Sequence, residues 1–294
     1  MPKISRPRRS ILYMPGSNAR ALVKGRTVPA DGLILDLEDS IALEAKEKAR
    51  DQVMEALAEG GYGYRELIVR VNTLGSAWGR DDIVAIASSG ADAILLPKVE
   101  SADMVRMAQD LMDSAGAPED MAIWCMMETP LGTLHAEEIA FSTPRLGCFV
   151  MGTSDLAKDL HAAHTRQRLP MITSLGICLL AARAAGLPVL DGVYLDLADD
   201  EGFEHACRQG VELGFDGKTL IHPKTIKMAN RIFSPTEDEV AWSRTIIKAH
   251  YEAAKRGEGV VVVDGKLIEN LHVANAERLV AMYETIAARE KSGE

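Results

Sequence analysis

The segment Ala122-Ile-Trp-Cys-Met-Met-Glu-Thr-Pro130 places six apolar residues directly before an acid, a threonine and a proline. A short apolar run that ends in such residues is typical of a buried parallel strand that reaches a polar rim. Similar runs recur along the chain, and a helical pattern follows each of them. The eight predicted strands are residues 10–13, 32–37, 66–71, 93–96, 122–127, 148–151, 187–190 and 217–220.

Strands that alternate with helices predict right-handed βαβ units and therefore a parallel sheet. The helix predicted over residues 40–59 shows the pattern, because Ala45, Ala49, Val53 and Leu57 recur every four residues. Eight such units close naturally into a TIM (β/α)8 barrel, which ordinarily takes about 250 residues. A doubly wound open sheet is the alternative that the strand count leaves open.

The pattern changes after the eighth unit. Ser234-Pro-Thr-Glu237 predicts a helix that begins with Ser234 as its N-cap and ends near Arg256. Asp264-Gly265 then separates two short β-type runs, which predicts a hairpin with a type I′ turn. A final helix is expected over about residues 271–289.

These patterns predict two parts in an α/β chain. We expect the TIM-barrel catalytic domain over residues 1–233 and a helix–hairpin–helix extension over residues 234–294. A barrel does not need the extension to close, so we expect it to pack on a neighbouring subunit.

The bulk composition narrows the class of protein. The chain has 294 residues and a net charge of −10, which argues against a general nucleic-acid or membrane-surface binder. No apolar run approaches the ~20 residues that span a bilayer. The basic start, Met1 to Arg9, is not followed by the apolar stretch of a signal peptide. The four cysteines lie far apart without metal-ligand spacing, so we expect reduced thiols in a cytoplasmic protein.

Two acids stand where a barrel enzyme carries its active site, at the carboxyl ends of the strands. Glu128 ends the segment quoted above, and Asp155 follows the next strand in Gly152-Thr-Ser-Asp155. Adjacent strands lie about 5 Å apart, so both carboxylates can reach one cation. Two carboxylates without His or Cys suit a hard cation with octahedral coordination. The alternative is a pair of solvated rim acids with Lys or Arg partners.

Further charged residues follow other strands. Arg70, in Ile68-Val-Arg-Val-Asn72, suits either a bidentate grip on a substrate oxygen or a structural ion pair with Asp36-Leu-Glu-Asp39. Lys98 could be a Schiff-base nucleophile, although a salt bridge to the acidic rim is the preferred interpretation. The acidic cluster is expected mainly to organise the rim and the start of the next helix, with a direct role as the alternative.

Several of these segments together resemble the citrate lyase β-subunit-like proteins of the HpcH/HpaI aldolase superfamily. The resemblance spans about residues 8–290. The segments that carry it are Arg8-Arg-Ser-Ile-Leu-Tyr-Met-Pro-Gly16, Asp36-Leu-Glu-Asp-Ser40, Arg70-Val-Asn72, Leu96-Pro-Lys-Val-Glu100, Glu128-Thr-Pro130, Gly152-Thr-Ser-Asp155 and Gly214-Phe-Asp-Gly-Lys218 with Ile221-His-Pro223.

The resemblance implies a TIM barrel with Mg²⁺ held by the residues that match the family's ligands, Glu128 and Asp155. It implies that Arg70 acts in catalysis and binds substrate. Glu128 and Asn72 are the further expected substrate contacts, and Asp39 is a further expected catalytic residue.

The family's substrates are CoA thioesters, and Arg20 and Lys24 are the implied contacts to the CoA nucleotide. The resemblance also implies a homo-oligomer, a trimer or hexamer, in which the C-terminal arm completes a neighbour's active site. In the family that arm usually carries a catalytic Asp in a Gly-x-Met-Ile-Asp pattern. This chain has Gly265-Lys-Leu-Ile-Glu269, so Glu269 becomes the expected catalytic acid, one methylene longer.

Within the family, the tail Val263-Asp-Gly-Lys-Leu-Ile-Glu-Asn-Leu-His272 resembles that of members that act on (3S)-malyl-CoA. We expect hydrolysis to malate and CoA. Reversible C–C cleavage of malyl-CoA, β-methylmalyl-CoA or citramalyl-CoA is one alternative. A lyase subunit that needs an acyl-carrier partner is another. A metal aldolase for free 2-oxo acids is a rival that would lack the long C-terminal arm.

Overall fold

Eight parallel strands form a closed barrel in the computed structural model, which describes residues 6–291. The strands pair in chain order, and β1 pairs with β8 as well as with β2. The predicted TIM barrel is therefore confirmed, and the open-sheet alternative is wrong. The strands are β1 (Ser10–Pro15), β2 (Gly32–Asp36), β3 (Glu66–Arg70), β4 (Ala93–Leu96), β5 (Ala122–Met127), β6 (Leu146–Met151), β7 (Val189–Asp191) and β8 (Gly217–Leu220).

Every strand is followed by at least one helix, as the alternation predicted. The helices are α1 (Ala19–Gly25), α2 (Lys46–Glu59), α3 (Gly79–Ile86), α4 (Ala102–Ser114), α5 (Pro130–Leu134), α6 (Ala136–Ala140), α7 (Thr153–Asp159), α8 (Ile172–Ala184), α9 (Asp200–Leu213) and α10 (Ile226–Phe233). Short 3₁₀ turns lie at Leu43–Ala45, Leu169–Met171 and Pro223–Thr225. Part of the basic start of the sequence (residues 1–5) and the end of the predicted extension (residues 292–294) lie outside the described residues.

The first long helix begins later than its apolar stripe predicted. Residues 40–42 are not helical, and α2 starts at Lys46 after the 3₁₀ turn. The Asp36 carboxylate accepts hydrogen bonds from the backbone N–H groups of Glu38 and Ser40, which fixes a tight turn after β2. The buried Lys46 ammonium donates to the carbonyl oxygens of Leu37 and Glu38. These bonds hold the acidic segment in a turn at the rim.

The barrel has two apolar layers because successive strand residues point to opposite faces. Trp124 and Cys148 pack inside the barrel, whereas their neighbours Cys125 and Phe149 pack against the surrounding helices. The interior is a filled core, as in other barrels of this size. The polar chemistry is therefore confined to the barrel ends.

The register of β5 and β6 brings their carboxyl ends to the same level. Met127 pairs with Met151, and the Gly152 N–H donates to the Met127 carbonyl oxygen over 3.1 Å. Glu128 and Gly152 thus leave the barrel side by side. Asp155 lies in the first turn of α7, directly after them.

The chain separates into two compact units, the barrel from Arg8 to Phe233 and a second unit that combines the described residues from Ser234 onward with Arg6 and Pro7. The second unit contains α11 (Glu237–Lys255), β9 (Val261–Val263), β10 (Lys266–Ile268) and α12 (Asn270–Lys291). The predicted hairpin is present, and its turn residues Asp264 and Gly265 both have positive φ, 47° and 76°, as a type I′ turn requires.

The predicted N-cap of the first helix in this unit is wrong. Thr236, not Ser234, caps α11, and its side chain forms a reciprocal capping box with Glu239. Ser234-Pro-Thr-Glu237 contains two hydroxyl residues of similar capping propensity, so the sequence pattern alone could not rank them. A small core that includes Ile246, Ile268 and Ala276 holds the unit together.

No helix within residues 6–291 combines the length and the apolar character that a membrane span needs. All four cysteines are free thiols and are buried.

Candidate active site

Charged residues from the ends of β2, β3 and β5 and from α7 line one cavity of about 430 Å³ at the carboxyl end of the barrel. Its walls also carry apolar and aromatic side chains that had not been selected from the sequence, among them Tyr13, Met126 and Met151. The charged lining residues are Asp36, Asp39, Arg70, Glu128 and Asp155. The structure thus gathers both predicted metal ligands and the predicted substrate arginine around one space.

Glu128 is almost completely buried, with 2% of its surface exposed. One carboxylate oxygen accepts a hydrogen bond from the Lys98 backbone N–H over 2.7 Å. The other lies against Gly152, where a Cβ would overlap it. Burial raises the pKa of Glu128 to about 8. The backbone thus fixes the position of this carboxylate. Burial removes most of the solvent that would stabilise its negative charge.

Asp155 is more exposed, with 26% of its side chain accessible. One of its oxygens lies 3.2 Å from the Lys158 ammonium, which is on the outer surface of α7. The predicted alternative, a solvated acid with a Lys partner, describes this contact correctly. Such an exposed pair is weak, and it does not prevent the carboxylate from reaching into the cavity.

The donor set fits a hard divalent cation. Glu128 and Asp155 offer only oxygen, which Mg²⁺ prefers, and a cation would compensate the buried Glu128 charge. Within residues 6–291, no three His, Cys, Asp or Glu side chains are placed to hold a metal together. The remaining coordination positions would therefore fall to water and substrate oxygens, the usual arrangement for Mg²⁺.

Arg70 combines both roles that the sequence analysis considered. Its Nε and Nη2 donate to the two oxygens of Asp36 over 2.6 and 2.7 Å, a buried bidentate pair. Burial alone would raise the pKa of Asp36. The Arg70 guanidinium has the larger effect and holds the pKa of Asp36 below its ordinary value. The remaining Nη1 lies 3.0 Å from Glu38 and 3.3 Å from Asp39. The guanidinium also stacks on Tyr13, 5.0 Å from the ring centroid, so it is rigid at the cavity wall.

Lys98 pairs with the acidic rim, as preferred over a Schiff-base role. Its ammonium lies 2.5 Å from Glu38 and 3.8 Å from Asp39. These acids raise the pKa of Lys98 against the opposing effect of its partial burial. A Schiff-base lysine needs the opposite shift.

The structure does not bring every predicted residue to the cavity. Asn72 is buried outside it, and its side-chain amide and backbone N–H both donate to Asp82. These bonds hold the turn before α3, and the substrate contact of Asn72 stays a prediction. Arg20 and Lys24 lie on α1 as exposed residues, four positions apart. Glu269 belongs to the second unit, just before α12.

Asp191 at the end of β7 and Lys218 in β8 are charged residues outside this cavity. Asp191 has no exposed surface, and its two oxygens accept from Arg168 over 2.6 Å and from Lys218 over 2.7 Å. Burial alone would raise the pKa of Asp191. The charges of Lys218 and Arg168 outweigh that effect and hold the pKa of Asp191 below its ordinary value. Strand position alone could not separate this interior ion cluster from the cavity residues.

The family model described as HpcH/HpaI aldolase/citrate lyase matches residues 9–223. A (3S)-malyl-CoA thioesterase of Cereibacter sphaeroides is 49% identical over 282 residues, which cover 96% of each chain. Citrate lyase subunit beta of Escherichia coli K12 is 35% identical and covers 98% of this chain and 97% of its own.

A solved structure has the same architecture. Protein CitE from Mycobacterium tuberculosis, in complex with magnesium, acetoacetate and coenzyme A, matches with a TM-score of 0.73 and 28% identity. The match covers 94% of this chain and 97% of that one.

The matched residues 9–223 include all eight barrel strands and both candidate metal ligands. The resemblance inferred from the rim motifs is confirmed by this match and by relatives that cover almost the whole chain. This chain belongs to the HpcH/HpaI aldolase/citrate lyase family.

Proposed function

We propose that this chain is a Mg²⁺-dependent enzyme that hydrolyses (3S)-malyl-CoA to malate and CoA. One observation carries the proposal: Glu128, Asp155 and Arg70 line a single cavity in a chain 49% identical to a named (3S)-malyl-CoA thioesterase. The solved relative that holds magnesium and coenzyme A supports the metal and the substrate class.

Glu128 and Asp155 are the residues that would hold the metal. When bound, Mg²⁺ supplies positive charge that polarises the oxygens of the malyl group and orients it. Glu128 would contribute a carboxylate already oriented by the Lys98 N–H. Asp155 would contribute one from the first turn of α7. Both therefore need little rearrangement to bind a cation.

Arg70 would stabilise negative charge on a substrate oxygen. Asp36 occupies two of its nitrogens, whereas Nη1 lies 3.0 Å from the buried Glu38 and makes a longer 3.3 Å contact with the half-exposed Asp39. A substrate oxygen can replace that contact without breaking the buried pair. Charge that develops on the thioester oxygen during hydrolysis would then meet a fixed donor.

Hydrolysis adds water to the thioester carbon, breaks the C–S bond and returns a proton to the CoA thiolate. Glu269, carried by the C-terminal unit of a neighbouring subunit, is the proposed acid–base residue, and Asp39 is the further carboxylate at the cavity wall. Replacing Glu269 with Gln should lower kcat by about 10²-fold or more, the usual contribution of a general base.

The test of Glu269 is CoA release followed with a thiol reagent. Glu277→Gln is the matched control, because Glu277 is an exposed acid of the same unit. Unchanged turnover of Glu269→Gln would remove Glu269 from the mechanism. Loss of turnover in Glu277→Gln as well would point to damage of the unit as a whole.

C–C cleavage of the same substrate is the second candidate, favoured by 35% identity to a citrate lyase β subunit. Cleavage would yield glyoxylate and the enolate of acetyl-CoA, which Glu269 would protonate. The longer side chain of Glu compared with Asp moves the proton by about one C–C bond, and misplacement of about 1 Å can cost about 10²-fold. This displacement favours hydrolysis as the net outcome.

Arg20 and Lys24 are the proposed contacts to the CoA diphosphate. They are four residues apart on α1, and such residues share one helix face. Because both side chains are exposed and would meet only the nucleotide, their loss should raise KM and leave kcat unchanged.

We also propose a cytoplasmic homo-oligomer, a trimer or a hexamer, in which the C-terminal arm completes a neighbour's site. The buried free thiols fit a reducing compartment. Light scattering of the purified chain tests the assembly, and a fully active monomer would contradict the role of the arm.

Incubation of the purified chain with (3S)-malyl-CoA and Mg²⁺ tests the proposal, with thiol and glyoxylate measured in parallel. CoA and malate identify a thioesterase, whereas acetyl-CoA and glyoxylate identify a lyase. Either activity without a partner contradicts the alternative of a dependent subunit. Asp155→Asn and metal removal should each abolish turnover, and neither product from the native chain would contradict the malyl-CoA assignment.

A further inference from the structure

Lys98 has a backbone conformation that is unusual for a residue with a side chain. Its φ is 51°, in the left-handed region, although it follows β4 in the segment Leu96-Pro-Lys-Val. Non-glycine residues keep this conformation where their surroundings impose it, and such places cluster at functional sites. The contacts of Lys98 show what imposes it.

Lys98 contacts two buried acids with two different parts of the residue. Its backbone N–H donates to Glu128 after β5, over 2.7 Å. Its ammonium contacts Glu38 after β2, over 2.5 Å. The neighbouring Val99 N–H bonds to the Met126 carbonyl oxygen, which ties the same turn to β5. The left-handed conformation therefore directs the N–H and the side chain to separate carboxylates.

The acids around this residue form few side-chain ion pairs. Within the described residues, the three acids of Asp36-Leu-Glu-Asp39 pair with Arg70 and Lys98, whereas the ammonium of the nearby Lys46 donates to the backbone carbonyl oxygens of Leu37 and Glu38. Asp36 is neutralised by the bidentate Arg70 pair. Glu38, which is buried, depends on Nη1 of Arg70 at 3.0 Å and on the Lys98 ammonium. Without the Lys98 ammonium, the Glu38 carboxylate would be only partly neutralised, and it lies at the same end of the barrel as Glu128.

We propose that Lys98 is a positioning residue that reserves Glu38 from the metal while its backbone N–H orients Glu128 toward it. The inference rests on the proposed metal site of Glu128 and Asp155. It explains how the buried Glu38 stays paired while Glu128 and Asp155 remain available to the cation. A third carboxylate would take a coordination position that substrate oxygens need, because Mg²⁺ keeps close to six ligands.

If Lys98 has this role, its substitution should strengthen metal binding, which is the opposite of what loss of a packing residue would do. Loss of a packing residue would loosen Glu128 and weaken metal binding. Lys98→Met should instead tighten Mn²⁺ binding about tenfold, because a freed carboxylate adds negative charge near the cation. The same variant should lower kcat, since the additional carboxylate competes with substrate oxygens for the metal. Lys98→Arg keeps the charge and should stay within about threefold of the native protein in both measurements.

Electron paramagnetic resonance of Mn²⁺ with the full chain, without substrate, measures the affinity directly. The decisive variant is Lys98→Met combined with Glu38→Gln, which removes the freed carboxylate. Its Mn²⁺ affinity should return to within about threefold of the native value, whereas independent effects would simply add. Lys224→Met is the matched control, because Lys224 pairs with the exposed Asp200 at the same end of the barrel. The Mn²⁺ affinity of Lys224→Met should equal that of the native chain.

The possible outcomes separate the two proposals. Weaker or unchanged Mn²⁺ binding in Lys98→Met would overturn the role of Lys98 and leave the metal site standing. Tighter binding that persists in the double variant would show that Glu38 is not the group Lys98 restrains, and would also overturn it. Absence of Mn²⁺ binding by the native chain would overturn the metal site, and this inference with it.

Discussion

Two ion clusters at the carboxyl ends of the barrel strands use the same chemistry for different purposes. The Arg70 cluster comprises Arg70, Lys98 and the three acids of Asp36-Leu-Glu-Asp39, and it faces the cavity. The Asp191 cluster comprises Asp191, Arg168 and Lys218. Each begins with an aspartate at the end of a strand that is paired with an arginine.

The clusters differ in charge balance and in access to solvent. The Arg70 cluster has more acids than cations, and its outermost acid, Asp39, has 56% of its side chain exposed. The Asp191 cluster has one acid for two cations, and Asp191 and Lys218 are both fully buried. An open, acid-rich cluster can exchange a contact for a substrate or a metal. The Asp191 cluster is closed in the sense that its acid is fully buried, and it offers no free carboxylate although Arg168 and Lys218 line a second cavity. The first cluster therefore serves chemistry, and the second serves stability.

The largest expected effect is on the closed cluster. Asp191→Asn leaves two buried cations without their anion and should lower the free energy of unfolding by about 3–5 kcal/mol. Urea denaturation measures the loss. Asp155→Asn, an acid with a weak surface partner, should change stability by about 1 kcal/mol or less while it abolishes activity. Equal stability losses in the two variants would mean that the clusters are not distinct.

The next effect is on the open cluster. Arg70→Lys keeps the charge but loses the planar fork that binds Asp36 and presents Nη1, so kcat/KM should fall about 10²–10³-fold. Arg168→Lys makes the same change in the closed cluster. It should lower the thermal midpoint and leave the kcat/KM of the folded enzyme within about threefold, because Arg168 contacts Asp191 rather than the metal cavity. Activity losses of similar size in both variants would contradict the division of roles.

A smaller effect is expected from the glycine beside the metal site. The Cβ of Gly152→Ala would overlap the Glu128 carboxylate, and displacement of that group by several tenths of an ångström should lower kcat about 10–10²-fold. Gly176→Ala on α8 is the matched control, because a Cβ there meets only open space. That substitution should stabilise the helix by about 0.5–1 kcal/mol and leave kcat unchanged. A kcat of Gly152→Ala equal to that of the native enzyme would show that Glu128 is not fixed in this position.

The smallest effect concerns acid pH. The pKa of Asp191 is lower in the folded protein than its ordinary value of 3.8, so its ion pairs contribute stability above that pH. The contribution is lost as pH falls through the folded pKa, and each unit of difference corresponds to about 1.4 kcal/mol. Urea denaturation from pH 7 to pH 3 should show a smaller drop for Asp191→Asn than for the native chain. Parallel curves would contradict the assigned pKa direction.

The sequence predicted the barrel and the closeness of Glu128 and Asp155 because both depend on local order along the chain. Each apolar run ends in a polar residue, and adjacent parallel strands place such ends side by side. Glu128 and Asp155 therefore needed only the strand assignment to be recognised as neighbours. Thr236, by contrast, was missed as the cap of α11 because Ser234, a residue of slightly higher N-cap propensity, lies two residues earlier.

The roles of individual polar and charged residues were not predictable in the same way. Asn72 and Asp191 both follow strands, as Glu128 does, yet Asn72 binds Asp82 and Asp191 lies in a closed cluster. Strand position assigns a residue to the rim but says nothing about how deeply its side chain is enclosed. That enclosure comes from groups far away in the chain.

The sequence by itself determined the strand order, the polar rim and the family, since apolar periodicity and short motifs are properties of neighbouring residues. The tertiary structure alone decided which rim acids are neutralised and which remain available to a cation. Arg70 reaches Asp36 across 34 residues and Lys98 reaches Glu38 across 60. Coulomb energies depend on distance and burial in space, and these quantities exist only once the barrel has closed.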